Sequence, residues 1–170
     1  MWVGGYAVPQ SATAVMSESL QDYLEAVYVL VQRERVARMK DIAGLMGVGT
    51  SSATGAIQQL AERGCVHYNP YQFVTLTDEG EAAAREILNR HKVLKRFLTG
   101  ILSLPDAEAD EIGCKMEHAI QGEAFDRFVG FLAFLEKACV KDRAWCTALK
   151  AHCTEAGRKG SGLGKKGRRS

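Results

Sequence analysis

MKDIAGLMGVGTSSATGAIQQL, residues 39–60, contains two short amphipathic segments separated by glycines. Lys40 to Met46 predicts a short helix and Gly47 with Gly49 a tight turn; Ser51 to Arg63 predicts a second helix with Ala53, Ala56, Ile57 and Leu60 facing inward. Thr50 stands where an N-cap belongs. This is the grammar of a helix-turn-helix. A second helix beginning with Thr50, Ser51, Ser52, Thr54 and Gly55 carries short side chains that let its end approach base edges and phosphates, with Gln58 one turn on. Arg38, Lys40 and Arg63 are placed to contact phosphates, which sets position rather than sequence preference. A Ser/Thr-rich helix start is also ordinary capping chemistry, so the DNA reading draws on the flanking sequence.

Immediately downstream, Cys65 to Tyr68 and Phe73 to Leu76 predict two short strands around the turn Asn69-Pro70-Tyr71-Gln72. A hairpin in that place makes the motif a winged one. Thr77 or Asp78 caps the next helix, predicted from Asp78 to Thr99, and Glu81 is spaced from Asp78 for a capping box. Upstream, SLQDYLEAVYVL carries Leu20, Tyr23, Leu24, Val27, Tyr28 and Val31 as a helical apolar stripe.

Three of these predicted helices also carry groups that bind metals. Cys114, Glu117 and His118 stand at i, i+3 and i+4 within EIGCKMEHAIQ (111–121), so a thiolate, a carboxylate and an imidazole share one helix face. Such a face is either a ligand set or a solvated polar surface. Asp22 and Glu25 flank the apolar stripe of the first helix, and His91 shares a face with Ile87, Leu94 and Leu98. A histidine among apolar neighbours also reads as a satisfied core residue. Taken together, the three helices offer six oxygen, nitrogen and sulfur donors.

Composition bounds the classes. The chain of 170 residues is long enough for one good core or two small domains, and its 46% hydrophobic and 25% charged residues are those of a soluble globular protein. There is no eighteen-residue apolar run to span a membrane, and the opening segment lacks the lysine or arginine of a signal peptide. The five cysteines lack the spacing of a secreted disulfide scaffold, which points to a reduced cytoplasm. Cys139, Cys146 and Cys153 recur every seven residues and predict one helical stripe, read either as small buried hydrophobes or as a second metal site beside His152. Residues 154–170 hold six Lys/Arg against Glu155, which predicts a flexible basic tail that attracts phosphates or merely solubilises. Residues 106–126 hold seven acids against Lys115, a bias that suits cations better than nucleic acid.

As one pattern, residues 16 to 142 resemble the diphtheria-toxin-repressor (DtxR/MntR) family of metal-dependent transcriptional regulators, in particular its shorter manganese-regulator branch. The likeness is carried by MSESLQDYLEAVYVL, MKDIAGLMGVGTSSATGAIQQL, the RHKVLKRFL around His91, and CKMEH. It implies metal ligands at Asp22, Glu25, His91, Cys114, Glu117 and His118. The manganese branch has the acidic pair but usually glutamate at the position of Cys114. The iron branch often has cysteine there, typically lacks the acidic pair, and has a further His and Glu near the positions of Asp110 and Lys95. The chain is therefore a hybrid. A thiolate shifts preference toward Fe(II), Co(II), Ni(II) or Zn(II) while the remaining donors still accept Mn(II). Fe(II) or Mn(II) is the expected physiological ion, with Zn(II), Co(II) or Ni(II) able to bind in vitro.

The expected fold is mainly α. A disordered extension (1–16) precedes a winged helix-turn-helix DNA-binding domain with a small β-hairpin wing (17–80), followed by an all-helical metal-binding and dimerisation domain (81–153) and a disordered basic tail (154–170). The chain is expected to end too soon for the barrel of longer relatives. Ile112, Met116, Ile120, Phe125, Phe128, Val129, Phe131, Leu132, Phe134 and Leu135 are instead expected in two apolar helices around Gly122 that form a homodimer interface, or else a monomeric core. The expected function is cytoplasmic repression of metal-homeostasis genes on a palindromic operator, with metal as corepressor. A metal-independent winged-helix regulator is the alternative. A metalloenzyme finds less support, because the chain has no H-E-x-x-H motif, nucleophile elbow or phosphate-cradling loop.

Overall fold

The computed structural model describes residues 16–69 and 73–163, with side chains described to residue 158. The described residues form two compact units that divide between Asn89 and Arg90, within one long helix. Most of the expected extension, the wing tip at Pro70, Tyr71 and Gln72, and the last residues of the basic tail lie outside the described residues.

In the N-terminal unit, helix α1 (Glu18–Glu34) starts where the Ser17 hydroxyl accepts from the Leu20 N–H, 3.4 Å away. Its stripe of Leu20, Tyr23, Leu24, Val27 and Leu30 is buried, and Met16, expected in the extension, is buried with it. Helix α2 (Met39–Met46) ends at Gly47, whose φ of 65° is the left-handed conformation that glycine adopts without a steric penalty. Helix α3 (Thr50–Glu62) follows, with Ala53, Ala56, Ile57 and Leu60 turned into the core as the spacing predicts. Gly49, not Thr50, is the N-cap residue, so α3 begins with no side-chain cap. Thr50 is already helical, and its carbonyl accepts from the Thr54 hydroxyl at 2.7 Å.

The wing is a two-stranded antiparallel sheet, β1 (Val66–His67) with β2 (Thr75–Leu76), in the register Val66 to Leu76 and His67 to Thr75. Both strands are shorter than the hydrophobic pattern predicts because neighbours use the flanking backbone groups. Val74 exchanges both its hydrogen bonds with Ala37, and the Cys65 carbonyl accepts from the Thr77 N–H at 3.1 Å. Helix α4 (Asp78–Gly100) is capped by Thr77, whose Oγ1 accepts from the Gly80 N–H at 2.9 Å and donates to the Gly64 carbonyl at 2.6 Å. The capping box does not form. With Thr77 as the cap residue, the third helical position is Gly80 rather than Glu81, and the Glu81 carboxylate pairs with Arg85 one turn on. Ala83, Ala84 and Ile87 at the start of α4 belong to the N-terminal core, which is why the units divide within α4 rather than at its start.

The C-terminal unit is helical throughout. It comprises the end of α4, then α5 (Asp106–Ala119), α6 (Gly122–Lys141) and α7 (Arg143–Leu163). Leu94, Leu98 and Ala109 are buried in it, Val93, Phe125, Leu132 and Leu135 form a further buried cluster, and Phe97 meets Phe128 edge-to-face with ring centroids 5.2 Å apart. Phe131, Phe134 and Val140 of α6 stay exposed, at 51%, 69% and 81% of their surface. The single stripe expected for the cysteines is interrupted. The helix breaks at Asp142, whose carboxylate caps α7 by accepting from the Trp145 N–H at 2.9 Å, and a Cys139–Cys146 disulfide joins α6 to α7 across the break. Residues 154–163 continue α7 as helix where an irregular tail is expected.

Gly80 should tolerate no side chain, since an added Cβ would lie 1.8 Å from the Cys65 carbonyl oxygen, whereas one at Gly44, in the middle of α2, meets nothing within 4 Å. Thermal unfolding should show Gly80→Ala to be destabilised by about 3 kcal/mol and Gly44→Ala stabilised by up to about 1 kcal/mol. Equal melting temperatures for the two would contradict the close approach of α4 to Cys65.

Candidate metal centre

Helix α5 packs against the second half of α4 at Gly113, where an added Cβ would sit in van der Waals contact, 3.6 Å from the His91 Cε1 and from the Lys95 backbone nitrogen. A bulkier residue there would push the two helices apart. One turn on, Glu117 is fully buried, and its Oε2 lies 2.8 Å from His91 Nδ1. The other carboxylate oxygen, Oε1, is buried without a hydrogen-bond partner and lies 3.6 Å from His118 Nε2. His118 is itself nearly buried, with 6% of its side chain exposed. Cys114, one turn before His118 on the same face, is exposed, and its Sγ is within 4.8 Å of a His118 ring nitrogen.

An electrostatic network surrounds these donors. The second His91 nitrogen, Nε2, is 3.2 Å from Asp110 Oδ1, so the ring is held between two carboxylates. The hydrogen bond to Glu117 is the main cause that holds the His91 pKa above the ordinary histidine value, against the opposing effect of burial, and Asp110 adds to it. Lys95 reaches Asp110 at 2.7 Å and Asp106 at 3.0 Å. The hydrogen bond from Lys95, more than that from His91, holds Asp110 below the usual carboxylate range. The ammonium of Lys95 thus supplies the positive charge that the outer acids of α5 require.

Of the six sequence-derived donors, His91 and Glu117 meet between α4 and α5, His118 lies beside the other Glu117 oxygen, and Cys114 lies within 4.8 Å of a His118 ring nitrogen. Asp22 and Glu25 lie half-buried and three residues apart on α1 of the N-terminal unit, so they share a face there. The bracing roles of Lys95 and Asp110 were not visible in the pattern, because pairs 15 and 19 residues apart meet only once the α4–α5 turn is known. The buried oxygen of Glu117, two imidazoles and a nearby thiol fit a borderline transition-metal ion.

Among the DNA-binding candidates, Lys40, Thr50, Ser51, Ser52, Gln58 and Arg63 are exposed. The Arg63 guanidinium donates to the Gln59 carbonyl at 3.1 Å. Thr54 is half-buried, with its hydroxyl turned back onto Thr50, so it has less freedom to read a base. Arg38 pairs with Glu34 at 3.1 Å and lies over the ring of the exposed wing residue Phe73, 5.3 Å from its centroid. Phe73 had been read only as part of a strand. The uncapped start of α3, with no acid in its first turn, leaves backbone N–H groups and the positive end of the helix dipole available to a phosphate.

Residues 15–74 match the model of the iron-dependent repressor N-terminal DNA-binding domain, and residues 77–145 match that of the iron-dependent repressor metal-binding and dimerisation domain. An uncharacterized helix-turn-helix-type transcriptional regulator of Methanocaldococcus jannaschii is 36% identical over 118 residues, 69% of this chain and 94% of that one. The chain belongs to the DtxR/MntR family of metal-dependent transcriptional regulators. That is a family of regulators, not of enzymes. Among its other members, the regulator MntR of Lysinibacillus sphaericus is 29% identical over 119 residues, 70% of this chain and 85% of that one. A manganese-dependent transcriptional repressor solved in complex with manganese is 32% identical with a TM-score of 0.59, over 68% of this chain and 53% of that one. T. acidophilum IdeR, at 23% identity and a TM-score of 0.60, shares the fold over 70% of this chain and 56% of its own. This DtxR/MntR regulator therefore spans about half the length of those two solved structures.

The geometry predicts a pH signature in the metal-free protein. His91 is held above its ordinary pKa of about 6.5, so it contributes stability that is fully present below that value and lost as pH rises through the folded value. In Glu117→Gln the charge on its nearer partner is gone, and an NMR titration in chelator should show the His91 pKa lowered toward the ordinary value. An unchanged titration would mean that Glu117 does not hold the ring.

Proposed function

We propose that the protein is a cytoplasmic homodimeric repressor that binds a palindromic operator when Fe(II) or Mn(II) occupies Asp22, Glu25, His91, Cys114, Glu117 and His118. The observation that carries this reading is the buried Glu117 carboxylate, whose second oxygen has no hydrogen-bond partner and faces His118. A buried carboxylate oxygen left in that state is costly unless a cation or donor reaches it. When bound, the ion supplies the positive charge that such a donor set requires. His91, Glu117 and His118 provide a fixed part of the set, and Cys114 provides a softer donor that favours Fe(II) over Mn(II) and admits Zn(II), Co(II) or Ni(II) in vitro.

The donors come from both domains, Asp22 and Glu25 from the DNA-binding one and the rest from the metal-binding and dimerisation one. Satisfying them together favours the dimer conformation in which the two α3 helices meet successive major grooves. There Thr50, Ser51, Ser52 and Gln58 face base edges or phosphates, while Lys40, Arg63 and the uncapped start of α3 supply backbone contacts. Arg38 is held by Glu34 and Phe73, which suits a residue that orients the wing and meets a phosphate at its edge. Phe131, Phe134 and Val140 of α6 supply the dimer face. The regulated genes are those of metal uptake, storage or redox balance.

A metal-independent winged-helix regulator is the second reading. The observation in its favour is that His91 already bridges two carboxylates, with Lys95 neutralising the outer one. Anaerobic selection from random duplex DNA with Fe(II), Mn(II), Zn(II) or chelator separates the two. A palindrome should be enriched only with metal, Fe(II) or Mn(II) being the most effective. The Glu117→Ala/His118→Ala double variant should lose at least about tenfold in metal-dependent DNA affinity, the scale on which even outer-shell partners act. Equal enrichment with chelator, and a double variant that binds DNA like the parent, would leave the cluster with a structural role alone.

A further inference from the structure

The match to the metal-binding and dimerisation domain ends at residue 145, so nearly all of α7 lies beyond it. Two features set this helix apart. None of its residues from 143 to 158 is buried, and Trp145 at its start keeps 42% of its surface exposed. A helix with so little buried apolar surface has weak non-covalent reason to stay docked. A covalent tie is supplied by the Cys139–Cys146 disulfide, which spans only seven residues of chain and crosses the break at Asp142. A loop that short removes less unfolded-chain entropy than a long one, so the bond is better suited to placing α7 than to holding the fold together.

The same bond is accessible. Both cysteines are half-buried and lie in the wall of a cavity of about 370 Å³ in the C-terminal unit. Val93, Phe97 and Leu132 give the cavity an apolar floor; its charged groups are Arg96, Lys150 and Glu136. Arg96 pairs with Glu136 at 2.9 Å, and Lys150 leaves the cavity with a net positive charge. That charge favours an approaching thiolate and the thiolate it releases. The volume is of the size that admits a small ligand.

We propose that Cys139 and Cys146 form a reversible dithiol/disulfide couple that exchanges with an anionic low-molecular-weight thiol, holding α7 on the cavity wall when oxidised and releasing it when reduced. In reduction, a small thiolate attacks one sulfur of the pair, forming a mixed disulfide and freeing the other cysteine as a thiolate. A second small thiolate attacks the small-molecule sulfur of that mixed disulfide and frees the second cysteine. The net change converts one protein disulfide and two small thiols into two protein thiols and one small-molecule disulfide, with two electrons passing to the protein. Oxidation by the small-molecule disulfide is the reverse. Released, α7 uncovers Val93, Phe97 and Leu132, next to the exposed apolar residues of α6, so the redox state changes the surface beside the proposed dimer face. The couple stands on the cysteine geometry alone and does not rest on the metal reading.

The test equilibrates the full chain in graded ratios of reduced to oxidised glutathione, traps thiols with a mass-tagging maleimide, and follows tryptic cleavage after Lys141 and Arg143 in parallel. Tags on Cys139 and Cys146 should be lost together as the oxidised fraction rises, with Trp145 fluorescence changing over the same range. Cleavage in the reduced form should be roughly tenfold faster, as expected for a locally released helix. Cys139→Ser and Cys146→Ser should be cleaved quickly in both buffers, and Cys153→Ser should behave like the parent. A pair that resists reduction at every ratio, cysteines that end as separate glutathione adducts, or cleavage that ignores the redox state would each overturn the proposal.

Discussion

A carboxylate buried as completely as that of Glu117 must be satisfied by donors or by a cation, because in a low-dielectric setting an unmet charge costs more than the surrounding packing returns. His91 meets one of its oxygens and leaves the other beside His118. Much of the local architecture serves that arrangement. Asp110 steadies the far side of the His91 ring, and Lys95 neutralises Asp110 and Asp106 from α4. Both ring nitrogens of His91 face carboxylate oxygens, which is why its pKa is held above the ordinary histidine value.

The DNA-binding unit is organised by a different constraint, the backbone at Cys65. Its carbonyl accepts from Thr77, its N–H donates to Leu60, and Gly80 packs where no side chain fits. These contacts join the end of α3, the wing and the start of α4 into one rigid corner. The wing takes its position from that corner and from the Ala37–Val74 bridge, which ties β2 back to the segment between α1 and α2. The start of α3 is left without a side-chain cap. An unsatisfied helix start on an exposed face suits a phosphate, the contact proposed for it above.

Helices α1 to α4 and the order of the wing strands were legible because apolar periodicity and glycine turns are local signals. The donors on α5 were legible for the same reason, since i, i+3 and i+4 define a face whatever else the chain does. Features that depend on two elements meeting were not. The cap falls at Thr77 rather than Asp78 because the Thr77 hydroxyl also reaches back to the Gly64 carbonyl, and that one-residue shift moves Glu81 out of the box position. The seven-residue recurrence of cysteines looked like one helical stripe, but Asp142 caps a new helix and converts two of them into a pair across a joint. The Lys95–Asp110 contact joins residues on different helices, and only the turn between α4 and α5 brings them together.

The most direct measurement is the affinity of the dimer for Fe(II) or Mn(II), determined anaerobically with and without a saturating duplex recovered by its own selection. If metal and operator favour the same conformation, each must tighten the other by one common factor, for which coupling of about 1–3 kcal/mol, roughly 5- to 150-fold, is typical. The account predicts metal binding tighter by that factor on the duplex, with the gain lost in Asp22→Ala. Metal affinity that is the same with and without the duplex would contradict the corepressor account, however tightly the ion binds.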